Sequence, residues 1–185
     1  MQKYFAIFKI SLKQEFAHKL TFVMWRLRNI LQILVFFFLW SAVFEGQQTD
    51  LFGYNKEKIL TYSFVLILIR SIVLSSRSGD VAGQVANGDL SNLLIKPISF
   101  FKYWLTRDLS SKILNICFSV FEVTILVILL KPVLFFQTDI FYILTFIVTL
   151  LIAVFIFFNI LMMTSFVPFW VPEIAWGAQF LVIGV

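Results

Sequence analysis

The segment 140–163 reads IFYILTFIVTLLIAVFIFFNILMM and contains no charged residue. About 20 apolar residues in a helix are enough to cross the ~30 Å hydrocarbon core of a bilayer. Because lipid offers the backbone no hydrogen-bond partners, a spanning segment must satisfy its own peptide groups, as an α-helix does. The segment therefore predicts a transmembrane helix and places the chain among membrane proteins.

Three further apolar runs lie at 21–44, 59–74 and 113–130, and a shorter one occupies 174–185. The composition agrees, since 61% of the residues are hydrophobic, against roughly half in a soluble domain. Transmembrane strands would alternate in polarity over about ten residues, and these runs do not. The sequence predicts an all-α membrane protein with four complete transmembrane helices and the start of a fifth.

An apolar stripe at helical spacing, accompanied by lysines, runs through residues 1–20. Its members are Phe5, Phe8, Leu12 and Phe16. Such a pattern predicts a helix lying in the inner membrane interface. The alternative is a cytoplasmic extension of the first spanning helix.

The distribution of basic residues predicts the orientation. Eleven Lys and Arg residues fall on the side of the N-terminus, including those of a long loop at 75–112. Only Lys56, Lys58 and Lys131 fall on the opposite side. By the positive-inside rule the N-terminus and the loop are cytoplasmic. This topology also accounts for the net charge of +5, so the basic residues do not call for a nucleic-acid partner. The partner expected from the topology is the lipid bilayer.

The loop contains an amphipathic stretch, residues 81–97, that we call the elbow. A short helix is expected up to Gly88, because glycine adopts the left-handed conformation of a helix end at low cost. Asp89 or Ser91 is suited to cap a second short helix, and Pro97 bars its simple continuation. The leucine face of this second helix consists of Leu90, Leu93 and Leu94.

Two interpretations of the elbow remain open on these residues alone. It is either an amphipathic connector resting on the bilayer surface, or a coupling helix that fits a groove on a soluble motor and transmits its motion to the spans.

Two ionisable residues lie within predicted spans, where charges are costly and are functional candidates by default. Arg70 lies near the cytoplasmic end of the second span and Glu122 near the middle of the third. Antiparallel helices would place them at similar depth, which predicts an ion pair. The alternatives are that Arg70 extends to the headgroups and that Glu122 is protonated or faces a wet interface.

No catalytic or cofactor-binding pattern accompanies these features. The sequence carries no Gly-x-x-x-x-Gly-Lys-Ser/Thr phosphate loop, and its single cysteine, Cys117, excludes a cysteine metal cluster. We therefore expect a chain that is not an enzyme and that needs no cofactor. If its work is driven by ATP, the motor is another polypeptide.

The segment Gly88-Asp89-Leu90, followed by Leu93-Leu94, Pro97, Ser99, Tyr103 and Arg107, resembles the cytoplasmic loop of permease subunits in the ABC-2 type family of ATP-binding-cassette transporters. Trp25 before the first span and Tyr62 early in the second are similar too. Asp89 stands where the family more often has Glu. The resemblance implies a six-span permease that forms a homo- or heterodimer and binds a separate ATPase subunit through the elbow.

Under this resemblance the chain is one transmembrane permease domain, residues 1–185, incomplete at its C-terminus relative to the family. The implied function is that of the permease subunit of an exporter in the cell inner (cytoplasmic) membrane. The alternative function is a non-transporting membrane scaffold or assembly factor that docks a cytoplasmic partner through the same loop.

Overall fold

The computed structural model of the protein describes residues 2–17, 19–45 and 53–174. Within these ranges are seven α-helices, and two short 3-10 turns follow them at Val167–Phe169 and Pro172–Ile174. The helices are α1 (Gln2–Ala17), α2 (Lys19–Phe44), α3 (Lys56–Val73), α4 (Asp80–Ala86), α5 (Leu90–Leu94), α6 (Phe100–Leu130) and α7 (Ile140–Thr164). The predicted all-helical architecture is confirmed.

Three helices of the described ranges are long and apolar enough to cross a membrane: Phe22–Phe44, Phe100–Leu130 and Ile140–Phe169. The second predicted span forms as helix α3, which has 18 residues and carries three charged residues in its first turn and Arg70 near its end. A fourth crossing therefore stays a prediction. Of the predicted start of a fifth helix, residues 175–185 lie outside the described part of the chain.

Helices α2 and α6 run side by side in the same direction. Near the start of α2, the ring of Phe22 lies 4.9 Å from that of Phe118 on α6, centroid to centroid. Further along, Ile33 is 2% exposed and packs in one cluster with Leu126. The same cluster contains Phe64 and Ile67 of α3, so the apolar face that α2 buries packs against α3 and α6 together.

Helix α3 runs opposite to its two neighbours. Its Phe64 joins the cluster around Leu126, whereas Ser71, two turns later, reaches the earlier residue Ser119 of α6, with 2.9 Å between the hydroxyl oxygens. The chain from α3 therefore emerges at the end of the bundle where α6 begins.

A second apolar cluster ties this end of the bundle to the elbow. It contains Val81 of α4, Leu93 of α5, Trp104 of α6, and Phe158 and Met162 of α7. The C-terminal end of α7 consequently lies beside the start of α6. The elbow and the first turns of α2 thus share one side of the bundle, as the sequence predicted, and the assignment of that side to the cytoplasm stays a prediction.

Helix α6 is longer than predicted, because residues 100–112, expected as loop, are helical. Its 31 residues correspond to about 46 Å, more than the ~30 Å hydrocarbon core. The sequence placed the boundary at the last basic residue of the loop. The last polar residues of this stretch, Asp108, Ser110, Ser111 and Lys112, are instead buried. Ser110 contacts α1 and Lys112 contacts the end of α3, so their polarity does not mark the end of the helix.

The N-terminal helix is confirmed as α1, and it packs along the first half of α6. The hydroxyl of Tyr4 accepts a hydrogen bond of 3.3 Å from the backbone N–H of Ser99. Further along, Ser110 donates a 3.3 Å bond to the carbonyl oxygen of Phe8. That α1 lies in the membrane interface stays a prediction.

The elbow forms as two short helices with a glycine between them. Gly88 has φ +76°, and its N–H donates to the carbonyl oxygen of Val85 at 3.2 Å, so its expected role at the end of α4 is confirmed. The expected side-chain cap of α5 is not formed: Asp89 makes no capping hydrogen bond, and the Ser91 hydroxyl instead donates to the carbonyl oxygen of Gly88.

We expect Gly88→Ala to lower the free energy of unfolding by about 1–2 kcal/mol, because a Cβ disfavours the left-handed conformation. The matched control is Gly83→Ala, since Gly83 lies inside α4 and an added Cβ meets no atom within 4 Å. We expect Gly83→Ala to leave the free energy of unfolding unchanged or to raise it by up to about 1 kcal/mol, because alanine favours the helix more than glycine does. Unfolding in mixed micelles measures both, and an equal loss in the two variants would contradict the assigned role of Gly88.

Candidate functional site

The leucine face of the elbow divides between the inside and the outside of the protein. Leu93 is only 6% exposed and packs in the protein's own core, whereas Leu94 is 63% exposed. Leu90 is half-buried. The next residue, Ile95, is 82% exposed, and the sequence interpretation missed it because α5 ends at Leu94 and leaves Ile95 beyond the helical pattern.

A polar margin surrounds the two exposed apolar side chains. Gly88, Asp89, Lys96 and Pro97 are all exposed. We call the set Asp89, Leu94, Ile95, Lys96 and Pro97 the elbow tip. Of the six residues predicted for coupling, Gly88, Asp89, Leu94 and Pro97 are therefore accessible to a partner, Leu90 partly so, and Leu93 is taken up by the fold.

The base of the elbow is fixed by a buried lysine. Lys112 of α6 is 5% exposed, and its Nζ donates to the carbonyl oxygens of Ile72 and Ser75, each at 3.0 Å. The carboxylate of Asp108 lies 3.5 Å from the same ammonium group. The carbonyl of Ile72 belongs to the last turn of α3 and that of Ser75 to the residues just after it, so no further helical turn satisfies them. A cation there is also favoured by the helix dipole.

The same carboxylate holds the first residues after α3. Asp108 accepts a 2.9 Å hydrogen bond from the backbone N–H of Arg77. The Arg77 side chain in turn makes a paired contact with both carboxylate oxygens of Glu15 on α1, and its Nε lies 2.7 Å from one of them. The segment leading into α4 is therefore attached to α1, α3 and α6 together.

Two ionisable groups at this base have shifted pKa values. Burial alone would lower the pKa of Arg77, but the hydrogen bond and charge of Glu15, together with the charges of Asp80 and Asp108, leave it above its ordinary value. Burial raises the pKa of Asp80, an effect that Arg77 and Arg107 oppose. The Asp80 carboxylate lies 3.5 Å from Arg107 and 3.9 Å from Arg77.

Within the bundle, Glu122 contacts Arg26 of α2, with 3.5 Å between Oε1 and Nη1. Arg26 also donates to Ser119 at 3.3 Å and to the side-chain oxygen of Asn115. Both charged residues are buried. The sequence predicted Arg70 as the partner; Arg70 lines a cavity that Arg26 also lines, and a direct contact between Arg70 and Glu122 stays a prediction.

The role of Arg26 was missed because it was counted only as a basic residue at the inner end of the first span. Its guanidinium lies 5.2 Å from the ring centroid of Phe22 and 5.4 Å from that of Phe118. A usable signal was the spacing, since Phe22 and Arg26 lie one turn apart on the same helix face. Which neighbouring helix that face meets is not encoded in the spacing.

A cavity of about 760 Å³ lies behind the base of the elbow, among α1, α2, α3 and α6. Two carboxylates, Glu15 and Asp80, line it, as do five arginines. The arginines are Arg26, Arg28, Arg70, Arg77 and Arg107. Among the described residues, no group of three or more His, Cys, Asp or Glu residues is placed to hold a metal ion.

This arrangement defines a helical membrane protein with a rigidly attached protrusion at one end of its bundle. The family model described as "ABC-2 family transporter protein" matches residues 30–182. The chain therefore belongs to the ABC-2 transporter family, and the resemblance seen around the elbow is confirmed. Membership makes it a membrane component of a transporter. Searches of curated proteins and of solved structures find no significant match.

We expect Lys112→Met to lower the free energy of unfolding by about 3–5 kcal/mol, because Asp108 is then left buried without its cation. The matched control is Lys102→Met, which removes the same group from an exposed position of the same helix. Unfolding in mixed micelles measures both variants. A loss for Lys112→Met no larger than that for Lys102→Met would show that the buried lysine does not hold the end of α3.

The partner of Glu122 is tested by charge exchange. Arg26→Glu and Glu122→Arg should each impair stable insertion, and the double variant should recover stability, with a coupling energy of about 0.5–3 kcal/mol. The companion double variant Arg70→Glu/Glu122→Arg should recover less. Recovery only with Arg70 would support the pair predicted from the sequence and contradict a dominant Arg26–Glu122 pair.

Proposed function

We propose that the protein is the membrane-spanning permease subunit of an ATP-binding-cassette exporter in the cytoplasmic membrane. It has no enzymatic activity of its own and works with a separate ATPase subunit that docks on the elbow tip. The observation that carries the proposal is the exposed pair Leu94 and Ile95 at the end of a rigidly based protrusion, in a chain of the ABC-2 family.

The chemistry of the elbow tip suits a protein partner. Protein interfaces have an apolar centre with a polar rim, and here Leu94 and Ile95 supply the centre while Asp89 and Lys96 supply charges of both signs. Short helical elements that insert apolar side chains into a groove are a recurrent recognition mode. A docked ATPase would cover the two apolar side chains, which are otherwise left outside the protein's core.

The attachments of the elbow support its use as a lever. Arg77 connects its base to α1 through Glu15, and Asp108 and Lys112 connect it to α3 and α6. Because buried contacts of this kind resist local deformation, a displacement of the tip is passed to the helices as rigid-body motion. Closure of two ATPases around nucleotide would therefore shift the spans between their inward-facing and outward-facing conformations.

The motor is assigned to another chain because this sequence carries no phosphate loop, the element that cradles nucleotide phosphates in ATPases of this type. The permease itself works as a homo- or heterodimer. Most of α7 is exposed and apolar, so it offers surface for lipid and for a second permease subunit.

The elbow tip is tested by the double variant Leu94→Asp/Ile95→Asp, co-expressed with any ATP-binding-cassette ATPase subunit that is encoded next to the permease. We expect the ATPase to co-purify with the wild type and its recovery to fall at least tenfold with the variant, because two charges are then placed at the apolar centre of the interface. Leu93 is not used, since changing it would disturb the core.

The matched control is Val133→Asp, which places a charge on a residue that is 62% exposed in the connection between α6 and α7, at the far end of the bundle. It should leave ATPase recovery unchanged. Equal recovery with the elbow variant would contradict docking at the tip. An ATPase that binds the wild type in a complex without ATP-dependent transport would instead support the scaffold function.

A further inference from the structure

The cavity behind the elbow has an unusual lining for the inside of a helical bundle. Its volume of about 760 Å³ lies within the range of sites that hold small organic ligands. Among the described residues that line it, arginines outnumber carboxylates by five to two. Glu122 contacts Arg26 but does not line the cavity. Counting its carboxylate as well still leaves the five arginines with more positive charge than the carboxylates neutralise.

The two carboxylates of the lining are already engaged. Both oxygens of Glu15 contact Arg77. Asp80 lies between Arg77 and Arg107. Arg107 nevertheless keeps a buried Nε–H without a hydrogen-bond acceptor among the described residues. This nitrogen has almost no accessible surface, so the excess of arginines over carboxylates in the lining is what remains to attract an anion.

Arg28 gives the cavity its accessible positive charge. Its guanidinium stacks on the ring of Trp25 at 4.8 Å from the centroid, and in the described residues it has no carboxylate within 4 Å. Both residues are exposed and lie in the first turns of α2. A guanidinium held in this way presents its planar set of donors, which matches the oxygens of a phosphate group.

Apolar side chains also line the cavity. They are Phe22 and Trp25 of α2, Leu74 after α3 and Leu161 of α7. The site therefore combines several guanidinium groups with a surface on which an acyl or other apolar chain can lie. Basic pockets between transmembrane helices on one side of a bilayer are a recurrent setting for anionic headgroups.

We propose that this cavity binds the phosphate group of an anionic amphiphile. Arg28 donates to the phosphate oxygens, and the apolar part of the molecule lies against Phe22 and Trp25 and continues into the bilayer. The binding requires neither the ATPase nor the elbow tip, so it is independent of the function proposed above.

The test uses the purified full chain in neutral detergent and counts bound molecules by native mass spectrometry. The probes are phosphatidylglycerol and phosphatidylcholine with identical acyl chains, and inorganic phosphate is added as a competitor in a separate arm. We expect phosphatidylglycerol to bind roughly tenfold more tightly than phosphatidylcholine, since its phosphate is not balanced by a cation of its own.

Two variants locate the binding. Arg28→Gln removes the accessible guanidinium, and Asn29→Asp adds a carboxylate to the cavity lining at nearly constant size. Each should weaken phosphatidylglycerol binding about tenfold. The control Lys102→Gln removes one positive charge from an exposed position outside the cavity and should leave binding unchanged. The second cavity variant keeps the test decisive if the first does not fold.

Equal binding of the two lipids to the wild type would overturn the proposal, as would unchanged phosphatidylglycerol binding in both cavity variants. Competition by millimolar inorganic phosphate would support a site that recognises phosphate without its apolar chain. Binding of phosphatidylglycerol that phosphate does not displace would support a lipid headgroup as the source. The ATPase co-purification experiment is unaffected by either result, so the two proposals fail separately.

Discussion

The buried ammonium group of Lys112 is the contact on which the remaining architecture depends. It satisfies carbonyl oxygens at the end of α3 and lies beside Asp108, whose other oxygen holds the backbone of Arg77. A helix end inside a bundle must find hydrogen-bond partners for its carbonyls. This pair supplies them, and by doing so it fixes where the chain leaves the bundle and where the elbow begins.

The position of the elbow follows from that attachment together with the apolar cluster beneath it. Leu93 is drawn into the core with Trp104 and Phe158, which turns Leu94 and Ile95 outward. Two members of the polar network at the base, Glu15 and Arg77, also line the cavity behind it. The protrusion and the charged cavity behind it thus share the contact of Arg77 with Glu15, in a chain of the ABC-2 transporter family.

Much of the fold was predictable because bilayer thickness sets helix length and lipid excludes unpaired backbone groups. The apolar runs were found this way, the N-terminal helix from its apolar stripe at helical spacing, and the turn at Gly88 from the left-handed conformation that glycine adopts at low cost. The early part of α6 was not, since a run containing Lys112 and Asp108 reads as a solvated loop when their mutual contact is unknown. The contact of Arg26 with Glu122 was not predicted either, because depth in the membrane limits the possible partners of a charge without choosing among them.

The sequence by itself determined the membrane class, the helical elements, the elbow and the family resemblance, because each depends on local composition and spacing. Only the tertiary structure decided which leucine of the elbow faces outward, that Arg26 contacts Glu122, and that arginines from separate helices line one cavity. Those features depend on the rotation and vertical offset of neighbouring helices. Packing fixes both quantities, and no single helix carries the information.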